Sequence, residues 1–151
     1  DQGGHQAELQ ALVETSGLAG SVQFAGPLHG AAKQDAYRAA SAFILPSFSE
    51  GLPMTVLEAW SFAKPVLMTE MCNLPAGFSA GAAVRIDTDA VRLAGQLREY
   101  VAAGEAETLA LGRSGRALVE KDFAWPQVAE RMAEMYAWLG GGGSCPAGIR
   151  R

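Results

Sequence analysis

Cysteine is nearly absent from this chain, with Cys72 and Cys145 the only two in 151 residues. One falls in an expected loop and the other in a polar tail, which excludes a disulfide framework and fits a reducing compartment. Basic charge is scarce too. Twelve Lys and Arg against sixteen Asp and Glu leave a net charge of −4, and the cations are scattered, so no nucleic-acid surface is expected. No apolar run approaches the roughly 20 residues that span a bilayer, and no charged region precedes an apolar stretch at the N-terminus. Neither a transmembrane segment nor a signal peptide is expected, and the chain reads as cytoplasmic. The two histidines, His5 and His29, have no Ser, Cys or Asp spaced to complete a hydrolase triad, and Cys72, His29 and the carboxylates lack zinc-ligand spacing, so no metal is predicted. His29, in a loop, can approach a base or phosphate or simply be solvated; His5 is placed on an amphipathic helix.

What is present suits one packed domain: 49% hydrophobic and 19% charged residues can bury a single core. Glu8, Leu9, Leu12 and Val13 set a helical rhythm ending near Ser16-Gly17, followed by an expected strand over Val22–Ala25. A helix is expected over Ala31–Ala40. Phe43-Ile44-Leu45 and Val66-Leu67-Met68 read as buried parallel strands, with a weaker one over Ala83–Ile86. Asp89 caps a helix to about Ala102, a second covers Ala106–Lys121, and Pro126 opens a last one to Leu139, whose aromatic and Met residues are expected to make core contacts. Strands alternating with helices predict an α/β fold with a Rossmann-like parallel sheet. Gly112-Arg113-Ser114-Gly115 lacks the Gly-Lys-Ser/Thr ending of a phosphate loop.

The most informative stretch is Ser49-Glu50-Gly51-Leu52-Pro53-Met54-Thr55-Val56-Leu57-Glu58-Ala59. Pro53 has the fixed φ that favours a first helical position, so a helix is expected from about Pro53 to Ala63, with Glu50 in the preceding loop and Glu58 on the helix. The amides of Gly51, Leu52, Met54 and Thr55 would then lie at the positive end of the helix dipole, which suits a diphosphate without a metal. Ionised carboxylates repel phosphate but accept hydrogen bonds from adjacent hydroxyls, so one on each side of a diphosphate describes a nucleotide sugar. By spacing alone, the commoner arrangement is two glutamates flanking a helix start by chance, with Glu50 near the N-terminal end and Glu58 simply solvated. Ser47, just past a strand end, can offer a hydroxyl to a ligand or serve a turn.

The surrounding sequence, from Ala42-Phe43-Ile44-Leu45-Pro46-Ser47 through Glu50-x7-Glu58 and Leu57-Glu58-Ala59 to Lys64-Pro65-Val66, resembles the signature of the large retaining glycosyltransferase family called family 4 or group 1. The likeness extends from Val22-Gln23-Phe24-Ala25-Gly26-Pro27-Leu28 to Phe123-Ala124-Trp125, about Gly3 to Leu139. It implies part of the C-terminal, donor-binding domain of a GT-B fold, in which two Rossmann-like domains face across a cleft. By this resemblance Glu50 holds the donor hexose as the catalytic-site residue, Glu58 holds the ribose, and Gly51, Leu52 and Pro53 line the sugar and phosphate. Gly26, Pro27 and Leu28 would border the base. The donor is a nucleotide diphosphate sugar, no cofactor or metal is needed, and a sugar or lipid-linked acceptor would be met by another domain in polysaccharide biosynthesis.

Asp1-Gln2-Gly3-Gly4 resembles the Gly-rich turn after the second strand of that domain. Two strands and the Arg and Lys that neutralise the diphosphate are then expected upstream of residue 1, and the isolated chain is expected to be inactive. Residues 1–139 read as a partial donor-binding domain and 140–151 as a flexible Gly-rich tail or linker. Absent the upstream strands, the Val22 and Phe43 strands re-pair, are bridged by a second chain, or belong to a poorly folding excerpt of a longer protein. The resemblance also has the last helix cross back onto the N-terminal domain, so without that partner its apolar face is expected to be partly exposed, and self-association through it or a sheet edge is open. Thr69–Phe78 takes the place of a glycine-containing loop followed by a Glu, a position here held by Ala76, which either alters the sugar end of the site or leaves a loop simply packed by Leu74 and Phe78. Non-catalytic nucleotide binding or assembly, and another GT-B reaction such as nucleotide-sugar epimerisation, remain alternatives. In the full-length protein, peripheral attachment to the inner membrane is compatible with a cytoplasmic location.

Overall fold

The computed structural model describes residues 4–146, so Asp1–Gly3 of the Gly-rich turn and the last five residues of the tail lie outside the described residues. Two compact units divide the chain between Ala36 and Tyr37. In the first unit, α1 (Gln6–Thr15) closes through Gly17, whose φ of +69° supplies the left-handed turn that a Cβ would strain. His5 stands at the N-cap, just outside the helix on which it was expected, with Nδ1 3.3 Å from a Glu8 carboxylate oxygen. The expected strand over Val22–Ala25 is not formed. Residues 22–29 make no ladder, and Val22 and Phe24 are exposed. A parallel strand is stable only when its amides and carbonyls meet a neighbour, and β propensity does not replace that partner. Helix α2 (Gly30–Ala39) follows, one residue off its expected bounds, its last three residues belonging to the second unit.

In the second unit, β1 (Phe43–Leu45), β2 (Val66–Met68) and β3 (Ala83–Arg85) form a parallel sheet in that order, with Phe43 opposite Val66 and Val66 opposite Ala83. Helix α3 (Met54–Ser61) crosses from β1 to β2. A 3-10 turn (Glu70–Cys72) and short α4 (Pro75–Ser79) connect β2 to β3, in place of the expected loop. Then come α5 (Ala90–Ala102), α6 (Glu105–Leu118), a wider π-wound continuation over Val119–Phe123, and α7 (Trp125–Leu139). Asp89 caps α5 as expected, its carboxylate accepting from the Arg92 amide at 3.0 Å.

The core forms where β2 meets α3. Val66, Leu67, Met68, Val56 and Trp60 are fully buried, each aliphatic side chain contributing about 1.5–3 kcal/mol. The fit depends on three glycines. A Cβ at Gly115 would stand 2.2 Å from Trp60 Cδ1, one at Gly77 2.6 Å from Trp60 Cη2, and one at Gly112 2.1 Å from the Ala63 carbonyl oxygen. The Gly-Arg-Ser-Gly motif is therefore a packing device that lets α6 press against α3. Trp60 is held at both ends, and its Nε1 donates to the Ala82 carbonyl at 2.9 Å.

The expectation of a buried strand fails at Ile44, which lies in the edge strand β1 and is 42% exposed. On α7 the apolar face is partly exposed, as expected without a partner domain: Trp125 is 83% exposed, and Met132 and Tyr136 are also exposed, whereas Met135 and Trp138 are half-buried. Cys72, assigned to an open loop, is fully buried, its thiol donating towards the Leu45 carbonyl at 3.6 Å. Among the described residues no helix is long and apolar enough to cross a membrane, and no group of three or more His, Cys, Asp or Glu is placed to hold a metal.

Candidate functional site

The loop leaving β1 carries the acidic motif. Pro46 ends the strand by withholding an amide, and the chain then turns through Ser47–Leu52 into α3. Pro53 stands at the N-cap with ψ 95°, so the helix begins at Met54, one residue later than the expected first position for proline. It ends at Ser61, earlier than expected, because Ala63 takes a left-handed φ of +54° ahead of Lys64-Pro65. No side chain caps the start of α3. The amides of Met54 and Thr55 have no acceptor inside the helix and share the positive end of its dipole, whereas Val56 donates to the Pro53 carbonyl at 3.0 Å. Gly51, Leu52, Met54 and Thr55 are exposed at this end; Pro53 is buried.

The two glutamates flank this helix start, Glu50 before it and Glu58 within the helix. Glu50 is half-buried, and the Ser47 hydroxyl donates to its Oε1 at 2.6 Å. Ser47 thus orients Glu50, a use that neither direct ligand contact nor turn capping anticipated. Glu58, also half-buried, lies one helical turn on. Its side chain leans towards the helix N-terminus, as helical Cα–Cβ bonds do. The phenol of Tyr37 bridges Glu58 Oε2 at 3.1 Å and the Thr55 carbonyl at 3.2 Å, which brings the Glu58 carboxylate to the first turn of α3. Burial, and next the bond to Glu58, push the Tyr37 hydroxyl up to about 12, so it stays a donor near neutral pH.

Three bonds stitch the Glu50 loop to the segment after β2. The Thr69 hydroxyl donates to the Ser47 carbonyl at 2.6 Å, the Glu50 amide to the Met71 carbonyl at 2.9 Å, and the Asn73 amide group to the Gly51 carbonyl at 3.2 Å. Asn73 has a φ of +54°, a conformation that Asn tolerates better than most residues. Leu74 is buried beside this turn and Phe78 packs half-buried against the core, while Ala76 is exposed in the first turn of α4. A cavity of about 230 Å³ opens beyond the ends of β2 and β3, lined by Thr69, Glu70, Arg85, Asp87 and Gln96 among others. Neither Glu50 nor Glu58 lines it. A Glu70–Arg85 ion pair at 3.0 Å crosses its rim.

Gly26, Pro27 and Leu28 belong to the first unit, where Gly26 takes a φ of +66° and Leu28 is half-buried; His29 beside them is exposed, its carbonyl accepting from the Lys33 amide. Tyr37, Thr69 and Asn73 were not assigned roles from the sequence. Their partners lie 18 to 22 positions away, and no local motif announces such pairings.

The family model described as glycosyl transferases group 1 matches residues 2–103. D-inositol 3-phosphate glycosyltransferase from Streptomyces coelicolor is 30% identical over 130 residues, covering 85% of this chain and 28% of the relative. The protein of that name from Actinosynnema mirum is 30% identical over 138 residues, covering 85% and 31%. The chain thus spans about a third or less of these relatives' length. Among solved structures, sucrose-phosphate synthase from Thermosynechococcus elongatus superposes with a TM-score of 0.79 at 24% identity, covering 93% of this chain and 36% of that one. WaaG, a glycosyltransferase involved in lipopolysaccharide biosynthesis, gives 0.68 at 20% identity over 82% and 34%. The Rossmann-like sheet with flanking helices is part of the C-terminal domain of a GT-B fold.

Proposed function

Because the chain belongs to the group 1 glycosyltransferases, we propose that it is the donor-binding part of an enzyme that moves a hexosyl group from a nucleotide diphosphate sugar to a hydroxyl acceptor, with retention at the anomeric carbon. The observation that carries this reading is the pair of carboxylates flanking one uncapped helix start, Glu50 in the entering loop and Glu58 drawn back to the first turn. Glu50 accepts from hexose hydroxyls and Glu58 from the ribose diol. The amides of Gly51, Leu52, Met54 and Thr55 face the diphosphate between them, and Pro53 offers only its carbonyl. As the glycosidic bond breaks, negative charge grows on the departing diphosphate. Preorganised donors at such a position are each worth about 3 kcal/mol to a transition state, so this helix start supports catalysis without a metal. Glu50, oriented by Ser47, positions the sugar and does not attack it.

The acceptor, a sugar or a lipid-linked sugar, engages residues beyond this chain, as do the cationic side chains that complete the diphosphate site. The 151-residue chain alone is accordingly expected to transfer no sugar, and measurable turnover with any nucleotide sugar would overturn that expectation. A cytoplasmic location matches the supply of nucleotide sugars. Calorimetry of the chain with uridine, guanosine and adenosine diphosphates tests the donor site: at least one binds, and Glu58→Ala weakens it about tenfold or more, the worth of a charge-assisted hydrogen bond. No heat with any nucleotide would contradict the assignment.

A further inference from the structure

We propose that Tyr37 is a positioning residue for Glu58, fixing one carboxylate oxygen so that the glutamate presents to a ribose diol and discriminates ribonucleotides from 2′-deoxyribonucleotides. This rests on the reading of Glu58 as the ribose acceptor. Tyr37 lies in the last turn of α2 and is 9% exposed. Its ring stacks on Phe62 with centroids 5.5 Å apart and planes at 12°, and meets Phe43 at 6.0 Å. The phenol therefore has little freedom to follow a moving partner. Its single proton serves two acceptors, Glu58 Oε2 and the Thr55 carbonyl, and the carboxylate is the stronger because it is charged. A helical glutamate has several rotamers, and each non-productive one weakens a two-point contact with vicinal hydroxyls, so the Tyr37 bond favours the productive one. Since the hydroxyl titrates only at about 12, the orienting bond persists at every pH at which nucleotide binding is measured.

A merely structural bond between α2 and α3 would look the same in the unliganded protein, so the test must read discrimination as well as affinity. Tyr37→Phe deletes the hydroxyl and keeps the aromatic packing. Calorimetry compares a ribonucleoside diphosphate with its 2′-deoxy counterpart on the full chain, with circular dichroism verifying the fold. The wild type should prefer the ribonucleotide. Tyr37→Phe should lower that preference about five- to tenfold, weakening the ribonucleotide more than the deoxynucleotide, which keeps only its 3′-hydroxyl for Glu58. Glu58→Gln should lower it as well, and Tyr37→Phe added to Glu58→Gln should change it no further, the mark of two groups acting through one contact. If Tyr37→Phe weakens both nucleotides equally, or neither, while Glu58→Gln still collapses the preference, the positioning role is wrong and the ribose assignment stands. If Glu58→Gln leaves the preference intact, the ribose assignment itself falls.

Discussion

Adding one methyl group at Gly115 tests the packing that sets α3, and with it the site, in place. An ideal Cβ there would stand 2.2 Å from Trp60 Cδ1 and 2.7 Å from Cγ. Ordinary carbon contact requires the indole or α6 to move by about 1 Å or more. The indole cannot yield easily: its far edge already fills the space at Gly77, and its Nε1 is bonded to the Ala82 carbonyl. Overpacking of this kind costs about 1–3 kcal/mol, and a strained or broken buried bond adds about 1–3 kcal/mol. Alanine's helix preference over glycine returns about 1 kcal/mol. The clash wins, for a net loss of about 3 kcal/mol and a fall in Tm of about 10 °C. Gly95 in α5 is the control, because nothing lies within 4 Å of its Cβ position and Gly95→Ala should stabilise by about 0.5–1 kcal/mol. Equilibrium urea unfolding followed by tryptophan fluorescence measures both. Equal or greater stability of Gly115→Ala would refute the account of the core.

Other perturbations have defined outcomes. Tyr37 carries a folded pKa of about 12 against an ordinary 10.0, so the stability conferred by its retained proton is complete below pH 10 and is lost as pH rises towards 12. Urea midpoints across that window should fall more steeply for wild type than for Tyr37→Phe, and parallel curves would contradict the shift. Removing the Thr69 hydroxyl, which is buried and bonded to the Ser47 carbonyl, should cost Thr69→Val about 1–2 kcal/mol in the same assay. Asp89→Ala, by uncapping α5, should cost about 1 kcal/mol.

The helical part of the fold was legible because its signals are local. Asp89, Pro126 and the apolar spacing placed α5 and α7 closely, and the apolar segments at Phe43, Val66 and Ala83 marked all three strands of the sheet. Val22–Ala25 misled because strand formation depends on a neighbour that composition cannot report. Ile44 misled for a related reason: apolar character says what a side chain prefers and not whether another surface is present to cover it. At the site, the two glutamates stood out as candidates only through the signature around them, since their spacing about a helix start is common. Tyr37, Thr69 and Asn73 could not, since each acts through tertiary hydrogen bonds to residues 18 to 22 positions away. The glycines of α6 were visible, but their purpose emerged only with Trp60 packed against them.

The central claim is a division of labour between the two carboxylates, and a crossed affinity measurement tests it most directly. A nucleoside diphosphate and the matching nucleotide diphosphate hexose are titrated into wild type, Glu50→Ala and Glu58→Ala. Glu50→Ala should erase the affinity gained from the hexose and leave the bare diphosphate bound as before; Glu58→Ala should weaken both ligands about tenfold or more. Loss of hexose-dependent affinity in Glu58→Ala alone, or no effect of either substitution, would contradict the account.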